Sequence, residues 1–133
     1  MNESQIMEIE DAKKVLKLEA DSILKAKEKL DDKFIKAIDI LYKENQKIVV
    51  TAIGKSGHLG KKLAATLCST GSPAAYLHPS EAVHGDLGIH QVGNPVIFLS
   101  NSGSTPELIS HWNQFSDLVE PKLWELSGKK KAP

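Results

Sequence analysis

The sequence predicts an α/β protein: a doubly wound parallel sheet with flanking helices in three layers (αβα), preceded by N-terminal helices. Three observations carry this expectation. Two apolar runs, KIVVTAI at residues 47–53 and PVIFL at 95–99, show no polar alternation, as strands covered on both faces do. Each run breaks at once into small polar residues and then into a helix start, the strand, loop, helix order of a parallel sheet. The first third of the chain, with neither Gly nor Pro between residues 4 and 30, carries its apolar residues at helical spacing.

In chain order, Ile6, Ile9, Leu16, Ala20, Ile23 and Leu30 make one long amphipathic helix whose apolar face needs cover, either the sheet or a second subunit. A second helix follows, with Phe34, Ile38, Leu41 and Tyr42 on one face. After the first strand, Ser56 is placed to cap a helix with Leu59, Leu63, Ala64 and Leu67 as its buried stripe and Gly71 as its stop. On that stripe Cys68 reads as a buried, inert thiol. Residues 74–78 offer a short strand and 80–86 one or two helical turns. After the strand at 95–99, Ser104 is the expected N-cap, with Pro106 in the first turn and Glu107 at the capping-box position. The expected division is one domain over 1–133: helices to residue 45, strand–helix units over 46–109, and a tail from 110.

Composition narrows the partner. Lys plus Arg and Asp plus Glu both number 17, so no net field favours nucleic acid or an anionic membrane. No apolar stretch approaches the roughly 20 residues of a membrane span. The single cysteine excludes an internal disulfide and, with a polar, acidic start, fits a cytoplasmic protein. The ligand is therefore expected at a local site. Residues 100–105, SNSGST, put hydroxyls and free N–H groups at the positive end of a helix, as an anion such as phosphate requires. The loop at 54–57, GKSG, lies at the equivalent place on the neighbouring unit, at the carboxyl edge where open α/β sheets bind ligands. It has neither the Walker spacing nor that of the dinucleotide fingerprint, which argues against NTP and NAD.

The run GKSGHLGKKLAATLCSTGSPAAYLHPSEAVHGDLG, followed by FLSNSGSTPEL, closely resembles the sugar isomerase (SIS) domain and, within it, the arabinose 5-phosphate isomerases, over roughly residues 17–109. The resemblance implies a doubly wound SIS fold, a homo-oligomer (dimer or tetramer) and interconversion of D-arabinose 5-phosphate with D-ribulose 5-phosphate for the lipopolysaccharide sugar Kdo. It also implies a sugar phosphate held by Ser100, Asn101, Ser102 and Thr105, catalytic roles for Lys55 and Glu107, and substrate contacts at Ser56, Gly71, Ser72, His78 and His84, with zinc a further option at His78. The family's Lys-Glu-Ala-Cys-Pro and Ser-His-Pro-Gly-Gly segments have no match in residues 110–133, so the SIS domain is expected in truncated form.

Aldose–ketose isomerisation moves a proton between neighbouring carbons through an enediol. It needs a base, a group to polarise the carbonyl and a phosphate anchor, and it requires no cofactor. Glu107 suits the base and equally suits the capping box; Lys55 and His84 suit the oxygens. Three readings remain: an isomerase of this type, a non-catalytic phosphosugar-binding module, and a structural partner using the N-terminal helix and the Trp-containing tail.

Overall fold

Parallel pairing organises the computed structural model, which describes residues 2–42, 46–103, 105–106, 108–110 and 124–127. The elements are α1 (Glu3–Lys27), α2 (Asp32–Leu41), β1 (Ile48–Ala52), α3 (Gly54–Ser69), β2 (Ala74–Leu77), α4 (Pro79–Val83), a 3-10 turn (Asp86–Ile89), β3 (Val96–Ser100) and β4 (Trp124–Ser127). Helical backbone also begins at 106, where the Ile109 N–H donates to the Thr105 carbonyl at 3.0 Å. The chain divides into two units, Met1–Lys36 and Ala37–Pro133, so the boundary falls inside α2.

In the second unit the strand order is β2-β1-β3-β4, every pair parallel. β1 is buried throughout, and its side chains alternate between two apolar layers. Val49, with Val96, Phe98 and Leu77, packs with Ala82 and Leu108 and with the half-buried Leu87 and Ile89. Ile48 and Val50, with Ile97, pack with Ala64 and with the half-buried Leu63, Leu67 and Leu41. Helices thus cover both faces, as the unbroken apolar runs predict, and full burial of Val49, Val50 and Val96 contributes about 1.5–3 kcal/mol each.

Helix α3 meets the sheet differently from expectation. Its buried residues are Gly57, Gly60 and Ala64, while Leu59 is 67% exposed. Small residues three and four apart let the helix lie close to β1 and β2, and that rotation turns Leu59 outward and exposes Cys68, whose Sγ donates to the Ala74 carbonyl at 3.1 Å. Gly71, with φ of 92°, does end the helix.

β4 falls in the tail, where no element is expected, and extends the sheet past β3 with Ile97 opposite Trp124. At the amino edge, the Lys47 N–H donates to Asn94 Oδ1 at 3.1 Å and the buried His90 Nε2 lies 3.2 Å from the Asn94 carbonyl. In the first unit, Asn2 and Gln5 close a capping box at the start of α1. No helix among the described residues is long and apolar enough to cross a membrane.

Candidate functional site

Two loops leave the sheet side by side. Ala52 at the end of β1 is in register with Leu99 near the end of β3, so the loops that follow open at the same carboxyl edge. Both rely on a glycine in the left-handed region, Gly54 at φ 61° and Gly103 at φ 66°, where a side chain would be strained.

In the first loop, Ile53 is the N-cap of α3, with no side chain capping the helix. Ser56 is therefore not the cap that the sequence suggests. It lies in the first turn, where orphan N–H groups and the positive end of the helix dipole converge. The loop is held from behind by Tyr76, whose hydroxyl donates to the Ala52 carbonyl at 2.6 Å. Burial pushes the Tyr76 pKa up, and Glu81 adds to the rise, so the hydroxyl remains a donor. The ring fits because Gly57 and Gly60 face it: a Cβ on Gly57 would stand 2.8 Å from the Tyr76 hydroxyl, and one on Gly60 would stand 3.0 Å from a ring carbon. Lys61 Nζ lies 5.4 Å from the ring centroid, within cation–π range. Sequence reasoning missed Tyr76; the signal was the Gly57, Gly60, Ala64 stripe, which leaves room for one bulky neighbour.

In the second loop, the Gly103 N–H donates to Ser100 Oγ at 2.9 Å and closes a tight turn. Thr105 takes the N-cap position, since its carbonyl accepts the first helical bond, from Ile109. The expected cap, Ser104, lies outside the described residues.

Between the loops is a cavity of about 180 Å³, lined by Ser56 from one mouth and Ser100, Asn101, Ser102 and Thr105 from the other, with Ile53, Leu99 and Leu108 as its apolar part. Its volume, below the roughly 300–1,000 Å³ of most small-molecule sites, suits a phosphate and part of a sugar better than a nucleotide. Hydroxyls and an amide make up its polar lining, with no ionisable side chain among the described lining residues. Such a lining is able to hold an anion by N–H and O–H donors and helix dipoles.

The other expected site residues lie elsewhere. Lys55 is exposed in the first turn of α3, outside the cavity lining. His78 is half-buried at the carboxyl end of β2, where it caps α4 and its Nδ1 accepts from the Ser80 N–H at 3.2 Å. His84 stands at the other end of α4, as its C-cap. Gly71 and Ser72 precede β2 and so stand at the amino edge, roughly 15 Å from the cavity edge for a strand of this length. They are not brought to the cavity because the Ser72 N–H is drawn to the Leu67 carbonyl at 2.9 Å as α3 ends. Glu107 lies outside the described residues. Among the described residues no three His, Cys, Asp or Glu side chains cluster, and His78 Nδ1 serves as the cap of α4.

Comparison with known proteins agrees with this geometry. The chain is 44% identical over 111 residues to the arabinose 5-phosphate isomerase KdsD of Pseudomonas aeruginosa, covering 83% of this chain and 34% of that protein. It is 44% identical over 115 residues to the arabinose 5-phosphate isomerase GutQ of Escherichia coli K12, covering 86% of this chain and 33% of that protein. The chain thus spans about one third of the length of these curated relatives. Among solved structures, Escherichia coli CFT073 c3406 in complex with arabinose 5-phosphate superposes with a TM-score of 0.83 at 31% identity, over 96% of this chain and 66% of that one. The SIS domain family model matches residues 40–120, the stretch that holds β1 to β3, both loops and the cavity, and the chain belongs to the SIS domain family.

Proposed function

We propose that this chain carries the phosphate-holding site of an aldose–ketose isomerase acting on arabinose 5-phosphate. The observation that carries the reading is the cavity fed by two crossover mouths, lined by Ser56 on one side and Ser100, Ser102 and Thr105 on the other. A bound dianion receives O–H and N–H donors from both mouths, which fixes the sugar and turns proton transfer into an intramolecular step. The likeness to KdsD, GutQ and the arabinose 5-phosphate complex supports that choice of sugar. Glu107, following the helix start at 106, is the base that shuttles the proton through an enediol; Lys55 and His84 act on the substrate oxygens from outside the phosphate pocket. This chemistry calls for no cofactor. This interconversion serves Kdo and lipopolysaccharide synthesis.

The test pairs turnover with binding. Arabinose 5-phosphate is followed by NMR for conversion to ribulose 5-phosphate and by calorimetry for affinity. Ser56→Ala and Ser102→Ala each weaken binding by about tenfold or more, the worth of a hydrogen bond to a charged group. Glu107→Gln removes turnover and leaves binding. No binding by the parent, or binding indifferent to both serine variants, contradicts the reading. A second reading, a phosphosugar-binding module without catalysis, is favoured by one observation: no ionisable group lines the cavity among the described residues. Binding with no turnover in the parent selects it.

A further inference from the structure

The two mouths are held in different ways. The second closes on itself, with the Gly103 N–H donating to Ser100 Oγ at 2.9 Å. The first has no such bond of its own. Its N-cap is Ile53, whose side chain makes no capping bond. The bond that starts the helix, from the Gly57 N–H to the Ile53 carbonyl, is long at 3.3 Å, and the residue after the cap is Gly54 at φ 61°. A side-chain cap would steady this start, but it would also occupy N–H groups of the first turn that a ligand needs. A mouth left open for a ligand has to be fixed from the other side.

Tyr76 stands on that side. It lies opposite Val50 in the register of β2 with β1, and its side chain reaches the end of β1, two residues further on. The hydroxyl donates to the Ala52 carbonyl at 2.6 Å, and the same oxygen is 2.8 Å from the place a Gly57 Cβ would take. One atom thus stands against the residue before Ile53 and the residue after Ser56, the two ends of the segment that gives Ile53 and Ser56 to the cavity. The ring is gripped in turn. A Cβ on Gly60 would be 3.0 Å from a ring carbon, and Lys61 Nζ is 5.4 Å from the ring centroid. A side chain already confined in this way loses little further freedom by holding the loop. We propose that Tyr76 is a positioning residue for the first mouth, its hydroxyl setting where Ser56 meets the ligand phosphate while Ser100 and Ser102 depend on their own turn. The proposal rests on the reading of the cavity as a sugar-phosphate site, and Tyr76 itself lies outside the cavity lining.

Calorimetry of the full chain with arabinose 5-phosphate tests it. Tyr76→Phe keeps the ring and its packing and loses only the hydroxyl. Affinity falls about fivefold, the worth of one hydrogen bond. The loss stays about fivefold in a Ser102→Ala background and shrinks to about twofold or less in a Ser56→Ala background, where the group being positioned is gone. A tyrosine that only stabilised the fold would lower affinity alike in both. Gly57→Ala, which displaces the same hydroxyl from the helix side, also weakens binding, and adds no further loss once Tyr76 is Phe. Parent-like affinity in Tyr76→Phe and Gly57→Ala, or an equal loss in the two serine backgrounds, overturns the proposal and leaves the phosphate reading standing. A parent that does not bind the sugar phosphate overturns both.

Discussion

Replacing Gly57 by alanine tests how the first mouth is held. The new Cβ would sit 2.8 Å from the Tyr76 hydroxyl, which is itself tied to the Ala52 carbonyl at 2.6 Å. The ring cannot yield without giving up that bond. Overpacking of this kind costs about 1–3 kcal/mol, and the lost hydrogen bond about 0.5–1.5 kcal/mol. Against this, alanine in a helix gains about 1 kcal/mol over glycine. The expected net loss is about 2 kcal/mol, read from urea denaturation of the purified chain. The same substitution in a Tyr76→Phe background meets no hydroxyl; the next neighbours, the Ala52 carbonyl at 3.5 Å and ring carbon Cζ at 3.8 Å, are at ordinary contact distance. There Gly57→Ala is neutral or stabilising by up to about 1 kcal/mol, the helix term alone. The double-mutant cycle therefore carries a coupling of about 2–3 kcal/mol. An equal loss in both backgrounds refutes the claim that the Tyr76 hydroxyl occupies the space Gly57 leaves.

Other predictions concern the sheet and its amino edge. His90 is buried, and that burial, helped by nearby Lys47, lowers its pKa despite the pull of the Asn94 carbonyl in the other direction. The folded state thus favours the neutral ring: stability is complete above the ordinary histidine value of about 6.5 and falls as pH drops through the window below it. His90→Gln flattens that part of the profile, and an unchanged slope contradicts the assignment. Thr51 is fully buried in β1 and its hydroxyl has no partner among the described residues. Thr51→Val, the same shape without the polar atom, raises stability by about 1 kcal/mol in thermal unfolding; a loss of that size shows that the hydroxyl is satisfied. Gly103→Ala strains a residue at φ 66° in the second loop and lowers both stability, by about 1 kcal/mol, and affinity for inorganic phosphate, whereas loss of stability alone places the turn outside the site.

Much of this architecture is legible in the chain because local signals and tertiary demands coincide. The runs at 47–53 and 95–99 became β1 and β3 with ends shifted by about one residue, since an unbroken apolar run has few alternatives once both faces are covered. The convergence of Ser56 with Ser100, Asn101, Ser102 and Thr105 follows from strand order alone: neighbouring parallel strands bring their loops to one edge. What pattern could not supply is rotation and cover. Of the expected stripe, Leu63, Ala64 and Leu67 do pack on the sheet, but Gly57 and Gly60 take the place of Leu59, because close approach to β1 and accommodation of Tyr76 outweigh the burial of Leu59. Gly71 and Ser72 carry the right residue types for a ligand loop, but chain direction puts them at the opposite edge. β4 is four residues long, with a glutamate in it, and its pairing with β3 has no local signature.

The most direct measurement is a titration with inorganic phosphate and then arabinose 5-phosphate, followed through the backbone amide resonances of the chain. Convergence of the two mouths on one dianion predicts that Ser56 in the first loop and Ser102 and Gly103 in the second shift together, with one common dissociation constant for each ligand, while Gly71 and Ser72 stay still. Shifts confined to one loop, two unrelated affinities, or movement centred on Gly71 and Ser72 would contradict it.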